Sequence, residues 1–66
     1  MKLTTQISQL RNSKNMDQLE LAERVNVRRE TISRLENGKY NPSLKLAMDI
    51  AKVFNKSVEE VFKFED

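Results

Sequence analysis

Only one glycine and one proline occur in this chain, and they lie four residues apart, at Gly38 and Pro42. Both residue types interrupt regular secondary structure, so their scarcity leaves long uninterrupted stretches on either side. Those stretches contain no long run of β-branched residues, which disfavours an extended sheet. The sequence therefore predicts a mostly helical, all-α fold.

The length and the missing residue types limit how such a fold can be stabilised. The chain has 66 residues, and a domain of this size buries only about 60% of its unfolded surface, so its core is thin. Cysteine and histidine are both absent, which excludes disulfides and the common zinc sites. We therefore expect one domain over residues 1–66, with no metal or cofactor, stabilised by helix packing or by a second copy of the chain.

Capping residues and apolar spacing predict the first two helices. The first helix is expected over residues 6–14, with Thr4 or Thr5 as its cap. Asp17, followed three residues later by Glu20, has the pattern of a capping box and predicts the start of the second helix.

Two turn signals bracket a third helix. Asn26 tolerates the left-handed conformation and predicts a tight turn after the second helix. The third helix then covers the segment RRETISRLENG, from Arg28 to Gly38, where glycine supplies the C-terminal cap. Asn41 followed by Pro42 predicts the start of a fourth helix, because proline is favoured at the first helical position.

The second half of the chain predicts two further helices and a pair of short strands. The expected apolar stripe of the fourth helix is Leu44, Ala47, Ile50, Ala51 and Phe54. Ser57 and Glu60 form a capping box that opens a short fifth helix. Residues 1–3 and 62–64 alternate apolar and charged, a pattern that allows a two-stranded ribbon between the two ends of the chain.

Positive charge is concentrated around the third helix. The whole chain has a net charge of +2, whereas residues 24–39 carry five cationic side chains and two carboxylates, an excess of three. Within the third helix only Ile32 and Leu35 are strongly apolar, and polar side chains cover the rest of the surface. Many charged helix faces are merely solvated. Here, however, a capped helix, a short turn and a polar helix form a helix-turn-helix pattern over about residues 17–37, which predicts DNA binding in the major groove.

Arg28 occupies the N-cap position of the third helix, where serine or threonine is usual. The absence of a side-chain cap costs about 1 kcal/mol of stability. We therefore predict that Arg28 is retained because its side chain contacts a DNA phosphate.

The stretch from Met16 to Phe54 closely resembles the Cro/repressor-type, Xre-like helix-turn-helix family. The resemblance rests on Gln18 with LA at residues 21–22, on TISRLENG from residue 31, and on NPSL from residue 41, and it extends over about residues 7–62. It implies a compact five-helix DNA-binding domain that acts as a homodimeric transcriptional regulator, of the kind found in compact bacterial or phage repressors. The chain departs from the family pattern at Asn26, where glycine is usual, and at Arg28.

The resemblance also implies two sets of DNA contacts. The residues placed at or near base edges are Arg29, Glu30, Thr31, Ser33 and Arg34. Contacts to the DNA backbone are implied for Gln18, Asn37, Lys39, Tyr40 and Asn41, to which our reading of the cap adds Arg28. Arg34 is the principal candidate for base readout, Gln18 is expected also to brace the third helix, and amides at the start of the fourth helix add an anion site.

Apolar residues near the C-terminal end of the sequence predict a dimer interface. Val61 is expected in the core, whereas Val58, Phe62 and Phe64 are expected where two copies meet. A two-fold dimer would present two reading helices about 34–36 Å apart to a near-palindromic operator.

Other classes of function find less support in the sequence. No serine has a histidine to activate it and no glycine-rich phosphate loop exists, so we predict neither an enzyme nor a small-molecule ligand. No apolar run approaches the ~20 residues of a membrane span, and the start lacks the apolar core of a signal peptide, so a cytoplasmic protein is expected. The alternative is a protein-binding module such as the DNA-binding part of an antitoxin, although the few residues after the last predicted helix leave little length for a toxin-binding segment.

Overall fold

The computed structural model describes all 66 residues, as five helices and one short two-stranded ribbon. In chain order the elements are β1 (Lys2–Thr5), α1 (Ile7–Ser13), α2 (Gln18–Arg24), α3 (Arg29–Glu36), α4 (Leu44–Val53), α5 (Val58–Val61) and β2 (Phe62–Glu65). The predicted five-helix fold with a terminal ribbon is therefore confirmed. The longest helix has ten residues, and none has the length and apolar character needed to cross a membrane.

The first four helices all end in the same way. The second residue after each helix has a positive φ, which is 52° at Asn15, 61° at Asn26, 69° at Gly38 and 55° at Asn55. In each case the next N–H bonds back to a carbonyl of the helix at 2.9–3.0 Å, which is the Schellman arrangement. The sequence predicted the turns at Asn26 and Gly38 but missed the other two, although asparagine tolerates this conformation better than most residues.

The turn after α3 requires glycine for a second reason. A Cβ atom at Gly38 would lie 2.6 Å from the carbonyl oxygen of Leu3, which is closer than real Cβ contacts allow. The end of α3 therefore packs directly on the backbone of β1. This contact ties the third helix to the ribbon.

Side-chain caps begin α2 and α5 as predicted. Asp17 accepts a hydrogen bond from the Glu20 N–H at 2.8 Å, while the Glu20 carboxylate pairs with Arg24 instead of returning to the cap. The box at α5 is complete, because Ser57 accepts from the Glu60 N–H at 3.2 Å and Glu60 accepts from the Ser57 N–H at 2.8 Å. Both helix starts are thus fixed by local sequence.

The predicted cap of α1 is largely wrong. Gln6 occupies the N-cap position and its side chain forms no capping bond. Thr4 and Thr5 belong to β1, where the hydroxyl of Thr4 donates to the Lys63 carbonyl at 3.5 Å. Only the hydroxyl of Thr5 reaches the helix, accepting from the Ile7 N–H at 3.4 Å. Strand pairing, a long-range interaction, overrides the local capping pattern.

The fourth helix begins two residues later than predicted. Ser43 is its N-cap, and the Ser43 hydroxyl accepts from the Leu46 N–H at 3.1 Å. Asn41 and Pro42 precede the helix and form part of the loop that leads into it. Leu44, which was predicted for the core, is consequently 73% exposed, and Leu46, which was not part of the predicted stripe, is buried instead.

Fifteen buried apolar side chains form the core, and every helix and strand contributes at least one. The largest fully enclosed side chains are Ile7, Leu21, Ile32, Leu35, Ile50 and Val61. Two of these belong to α3, so the inner face of that helix is firmly anchored. Its outer face is left for contacts with other molecules.

The ribbon joins the two ends of the chain. β1 and β2 pair antiparallel, with Leu3 opposite Phe64 and Thr5 opposite Phe62. Leu3 and Phe62 are buried in the core, whereas Phe64 is exposed. The ribbon therefore covers one end of the helical core and presents an aromatic side chain to solvent.

Candidate nucleic-acid interface

Helices α2 and α3 pack against each other and are joined by a short turn at Asn26. The inner face of α3 is held by Ile32 and Leu35, which are fully enclosed. A helix that follows a tight turn and is anchored on one face only is the arrangement of a helix-turn-helix. The rest of the site is built around α3.

The five predicted base-contacting residues all lie on α3. Arg29, Glu30 and Arg34 are exposed, whereas Thr31 and Ser33 are half-buried beside them. The set offers cationic donors, a carboxylate acceptor and hydroxyl groups, which together match the hydrogen-bonding groups of base edges. Whether these residues contact DNA stays a prediction.

The cations on this side of the protein have no carboxylate partner. The structure contains three ion pairs, which join Arg11 to Glu36, Arg24 to Glu20 and Lys45 to Asp49. Arg28, Arg29, Arg34 and Lys39 take part in none of them. Their positive charge is therefore uncompensated by side chains of the protein and attracts polyanions.

Gln18, the first residue of α2, bonds to α3 through both the nitrogen and the oxygen of its side-chain amide. Its Nε2 donates to Glu36 Oε1 at 3.0 Å, and its oxygen accepts a longer bond of 3.4 Å from Arg29 Nη1. These bonds brace α3 as expected. The phosphate contact expected of Gln18 stays a prediction.

A nearly buried ion pair that was not predicted from the sequence lies on the inner side of α3. Arg11 Nε and Nη2 donate to the two carboxylate oxygens of Glu36 at 2.6 and 3.2 Å, and Nη1 donates to the Met16 carbonyl at 2.9 Å. The hydrogen bond to Glu36 raises the pKa of Arg11. Glu36 follows Ile32 by four residues and so lies on the inward side of α3, where a carboxylate needs a partner. The spacing of Glu36 from Ile32 was therefore the sequence signal that Glu36 is partly enclosed and needs a partner.

Arg28 and Asn37 lie at the two ends of α3. Arg28 is the N-cap, has extended backbone with φ −81° and ψ 153°, and forms no capping bond with its side chain, as predicted. Asn37 is the C-cap, and its Nδ2 donates to the Ser33 carbonyl at 3.0 Å. Both side chains are exposed on the same helix as the base-contacting set.

The loop between α3 and α4 carries the remaining predicted backbone contacts. Lys39, Tyr40 and Asn41 are all exposed there. The guanidinium carbon of Arg34 lies 5.8 Å from the centroid of the Tyr40 ring. The structure therefore brings the principal base-reading candidate together with a residue that was predicted to contact the DNA backbone.

The residues predicted for the dimer interface have unequal exposure. Phe64 is 55% exposed and Val58 is half-buried, but Phe62 is only 9% exposed and belongs to the core of its own subunit. Phe62 keeps almost no side-chain surface for a partner, so the interface prediction is corrected to Val58 and Phe64. The dimer itself stays a prediction.

Comparisons with known proteins agree with this architecture. A helix-turn-helix family model matches residues 7–61. An uncharacterized HTH-type transcriptional regulator of Archaeoglobus fulgidus is 58% identical over 64 residues, which cover 97% of this chain and 90% of that protein. The uncharacterized HTH-type transcriptional regulator YgzD of Bacillus subtilis is 38% identical over 64 residues, covering 97% of each chain.

A solved structure shows the same fold. The crystal structure of a protein from Bacteroides fragilis superposes with a TM-score of 0.79 at 24% identity, over 92% of this chain and 98% of that one. The chain therefore belongs to the Xre-like helix-turn-helix family and is a transcriptional regulator with a helix-turn-helix DNA-binding domain.

Proposed function

We propose that the protein is a repressor that binds a near-palindromic DNA operator as a homodimer and reads bases in the major groove with α3. The outer side of α3 is the observation that carries the proposal. Arg28, Arg29 and Arg34 are exposed there without carboxylate partners, while the opposite side of the helix is fixed in the core.

Base recognition is assigned to the middle of this surface. An arginine can donate two hydrogen bonds to guanine O6 and N7, and a glutamate can accept from cytosine N4. Arg34 and Arg29 are suited to the first contact and Glu30 to the second. Thr31 and Ser33 supply hydroxyl groups that can bond several bases.

Phosphate contacts are assigned to the edges of the same surface. Arg28, Lys39 and Asn41 are exposed at the ends of α3 and in the following loop. The Leu46 amide is capped by Ser43, but the amides of Leu44 and Lys45 have no partner within α4 and lie at its positive end, which favours an anion. These contacts would orient α3 without selecting a sequence.

A second copy of the chain is required to read a palindrome. One subunit measures 31 × 22 × 20 Å, so two subunits side by side can span the roughly 34–36 Å between successive major grooves. Phe64 is the exposed aromatic residue of the ribbon, and Val58 is a half-buried residue of the neighbouring helix α5. A dimer that covers an operator in this way denies the DNA to polymerase, which is the basis for proposing repression.

Selection from a randomised duplex pool, followed by titration at two salt concentrations, tests the proposal. We expect a near-palindromic consensus bound at least ~10³-fold more tightly than bulk DNA. Transcription in vitro from a promoter that contains the consensus should then decrease as protein is added. Weak, salt-dominated binding without a consensus would contradict the proposal and would favour the protein-binding alternative.

The dimer is tested separately with Phe64→Glu. A charge placed in an apolar interface should leave a folded monomer, observed by circular dichroism and sedimentation equilibrium. Leu19→Glu is the matched control, because Leu19 is similarly exposed, at 51%, but lies on α2. A Phe64→Glu protein that remained folded and dimeric would show that the interface lies elsewhere.

A further inference from the structure

Arg34 in the last turn of α3 and Tyr40 in the following loop form a cation–π pair. The distance of 5.8 Å from the guanidinium carbon to the ring centroid lies within the usual limit of about 6 Å. We infer that Tyr40 is a positioning residue that determines specificity, because its ring holds the Arg34 guanidinium ready to read a guanine. This inference rests on the proposed base readout by α3.

The hydrogen-bonding state of Arg34 supports this role. Its side chain joins none of the three ion pairs, and Glu30, one turn earlier on the helix, does not pair with it. A carboxylate partner would occupy guanidinium N–H groups, as happens to Arg11. An aromatic face attracts the cation without using any N–H donor. Arg34 is therefore oriented while its donors remain available for a base.

The backbone that carries the Tyr40 ring is tied to the end of α3. The Lys39 N–H bonds to the Arg34 carbonyl at 2.9 Å, which fixes the direction in which the loop leaves α3. Tyr40 then lines a cleft of about 250 Å³ together with Val27 and Leu46. Tyr40 is 40% exposed, so the direction of the loop, rather than enclosure in the core, places the ring beside Arg34.

Two roles for Tyr40 make different predictions about DNA binding. A phosphate contact through the hydroxyl group would strengthen binding to every sequence equally. A ring that reduces the rotational freedom of Arg34 lowers the entropic cost of one base contact, so it strengthens binding only to sequences that carry that base. If the ring positions Arg34, its loss lowers the ratio of the affinity for sequences with that base to the affinity for sequences without it. Loss of a phosphate contact by the hydroxyl group would leave this ratio unchanged.

The experiment compares affinities for the selected operator and for the same operator with the Arg34-dependent base pair changed. That base pair is the one whose preference disappears in Arg34→Ala. We expect Tyr40→Phe to retain the affinity ratio and Tyr40→Leu to reduce it about two- to fivefold, the usual strength of an exposed cation–π pair. In an Arg34→Ala background, Tyr40→Leu should leave the ratio unchanged.

A measurement on the free protein tests the stacked pair directly. Protons held over an aromatic face are shifted upfield, and Tyr40 is the only tyrosine in the chain. We expect the Arg34 side-chain resonances to move downfield in Tyr40→Leu and to stay in place in Tyr40→Phe. Arg24, which pairs with Glu20 on α2, provides resonances that should not move in either variant.

The outcomes separate this inference from the proposed function. If Tyr40→Leu weakens binding equally on both operators, or leaves the Arg34 resonances unchanged, the positioning role is overturned while base readout by α3 stands. If the wild-type protein selects no consensus, the proposed function fails and the readout role of the pair fails with it.

Discussion

Arginines on the two sides of α3 are held in opposite ways. On the inner side, Arg11 is 12% exposed and donates two hydrogen bonds to the carboxylate of Glu36. On the outer side, Arg29 and Arg34 are exposed and have no carboxylate partner. Pairing with a carboxylate, rather than charge alone, therefore distinguishes the arginine that stabilises the fold from the arginines that are free to bind another molecule.

Desolvation explains why the inner pair must be complete. Removing a charge from water is costly, and only the attraction and hydrogen bonds of a well-placed partner offset that cost. Glu36 meets this condition for Arg11, and Gln18 adds a hydrogen bond to the same carboxylate at 3.0 Å. On the outer side, water solvates the exposed charges of Arg29 and Arg34, so these residues need no carboxylate partner.

Removing half of the inner pair should have the largest effect on the protein. Glu36→Ala leaves Arg11 nearly buried without a counter-charge, so we expect the free energy of unfolding to fall by about 3 kcal/mol, measured by urea denaturation. Replacing both partners, in Arg11→Met with Glu36→Leu, removes the uncompensated charge and should destabilise less than Glu36→Ala. A single variant that lost under about 1 kcal/mol would mean that solvent already compensates Arg11.

Removing an outer arginine should mainly weaken DNA binding, whereas removing Glu36 should mainly lower the free energy of unfolding. Arg34→Ala should cost roughly 1–3 kcal/mol of binding on the cognate operator and relax the preference at one base pair. Its free energy of unfolding should change by no more than about 1 kcal/mol, because the exposed side chain has no carboxylate partner and loses only its cation–π contact with Tyr40. Titration and urea denaturation of the same sample measure both quantities, and a large loss of stability would erase the contrast with Glu36.

A lysine at the edge of the same surface should affect DNA binding without affecting sequence preference. Lys39→Ala should weaken binding to all sequences alike and reduce the slope of log affinity against log salt by about one unit. Lys52→Ala is the control, because Lys52 is also exposed but lies in the last turn of α4. Equal salt slopes for the two variants would show that Lys39 does not contact a phosphate.

The smallest expected effect concerns a carboxylate far from both sets of arginines. The Ser57 N–H donates to Glu60 at 2.8 Å, and this bond lowers the pKa of Glu60 below its usual 4.5. The stabilisation is therefore present above pH 4.5 and is lost as the pH falls through the lower folded-state pKa. Glu60→Gln keeps a capping side chain but cannot bind a proton, so its stability should fall less than that of the wild type between pH 7 and pH 3.

Urea denaturation at the two pH values measures this difference. Glu59→Gln is the matched control, because Glu59 is an exposed neighbour outside the capping box. If both glutamine variants lost stability equally on acidification, the capping box would not be the source of the effect.

Local signals predicted most of the helices. Asp17, Ser57 and Asn26 act through bonds and backbone conformations within a few residues, so their roles could be deduced from the sequence. The predicted start of α4 was wrong because Pro42 and Ser43 are adjacent and both favour a helix start. Only the Ser43 hydroxyl can accept the hydrogen bond from the Leu46 N–H, so it begins the helix.

Features that depend on distant residues were not predictable in the same way. Arg11 and Glu36 are separated by 25 residues, and nothing near either residue identifies the other. Phe62 was assigned to an interface because the alternation of β2 does not reveal which side chain the core will enclose. The stacking of Arg34 on Tyr40 likewise depends on the path of the loop. The identity of the α3 residues does yield a prediction of the DNA-facing surface from local sequence, and that surface stays a prediction.

The ribbon has a consequence for the order in which the protein forms. Thr4 and Lys63 are bonded across it although 59 residues separate them along the chain. At the usual rate of protein synthesis, β1 waits on the order of 3–12 s for β2 to be made. During that interval the last turn of α3 has no paired strand to pack on. The nascent helix-turn-helix therefore gains its full set of packing contacts only after residues 62–65 have left the ribosome.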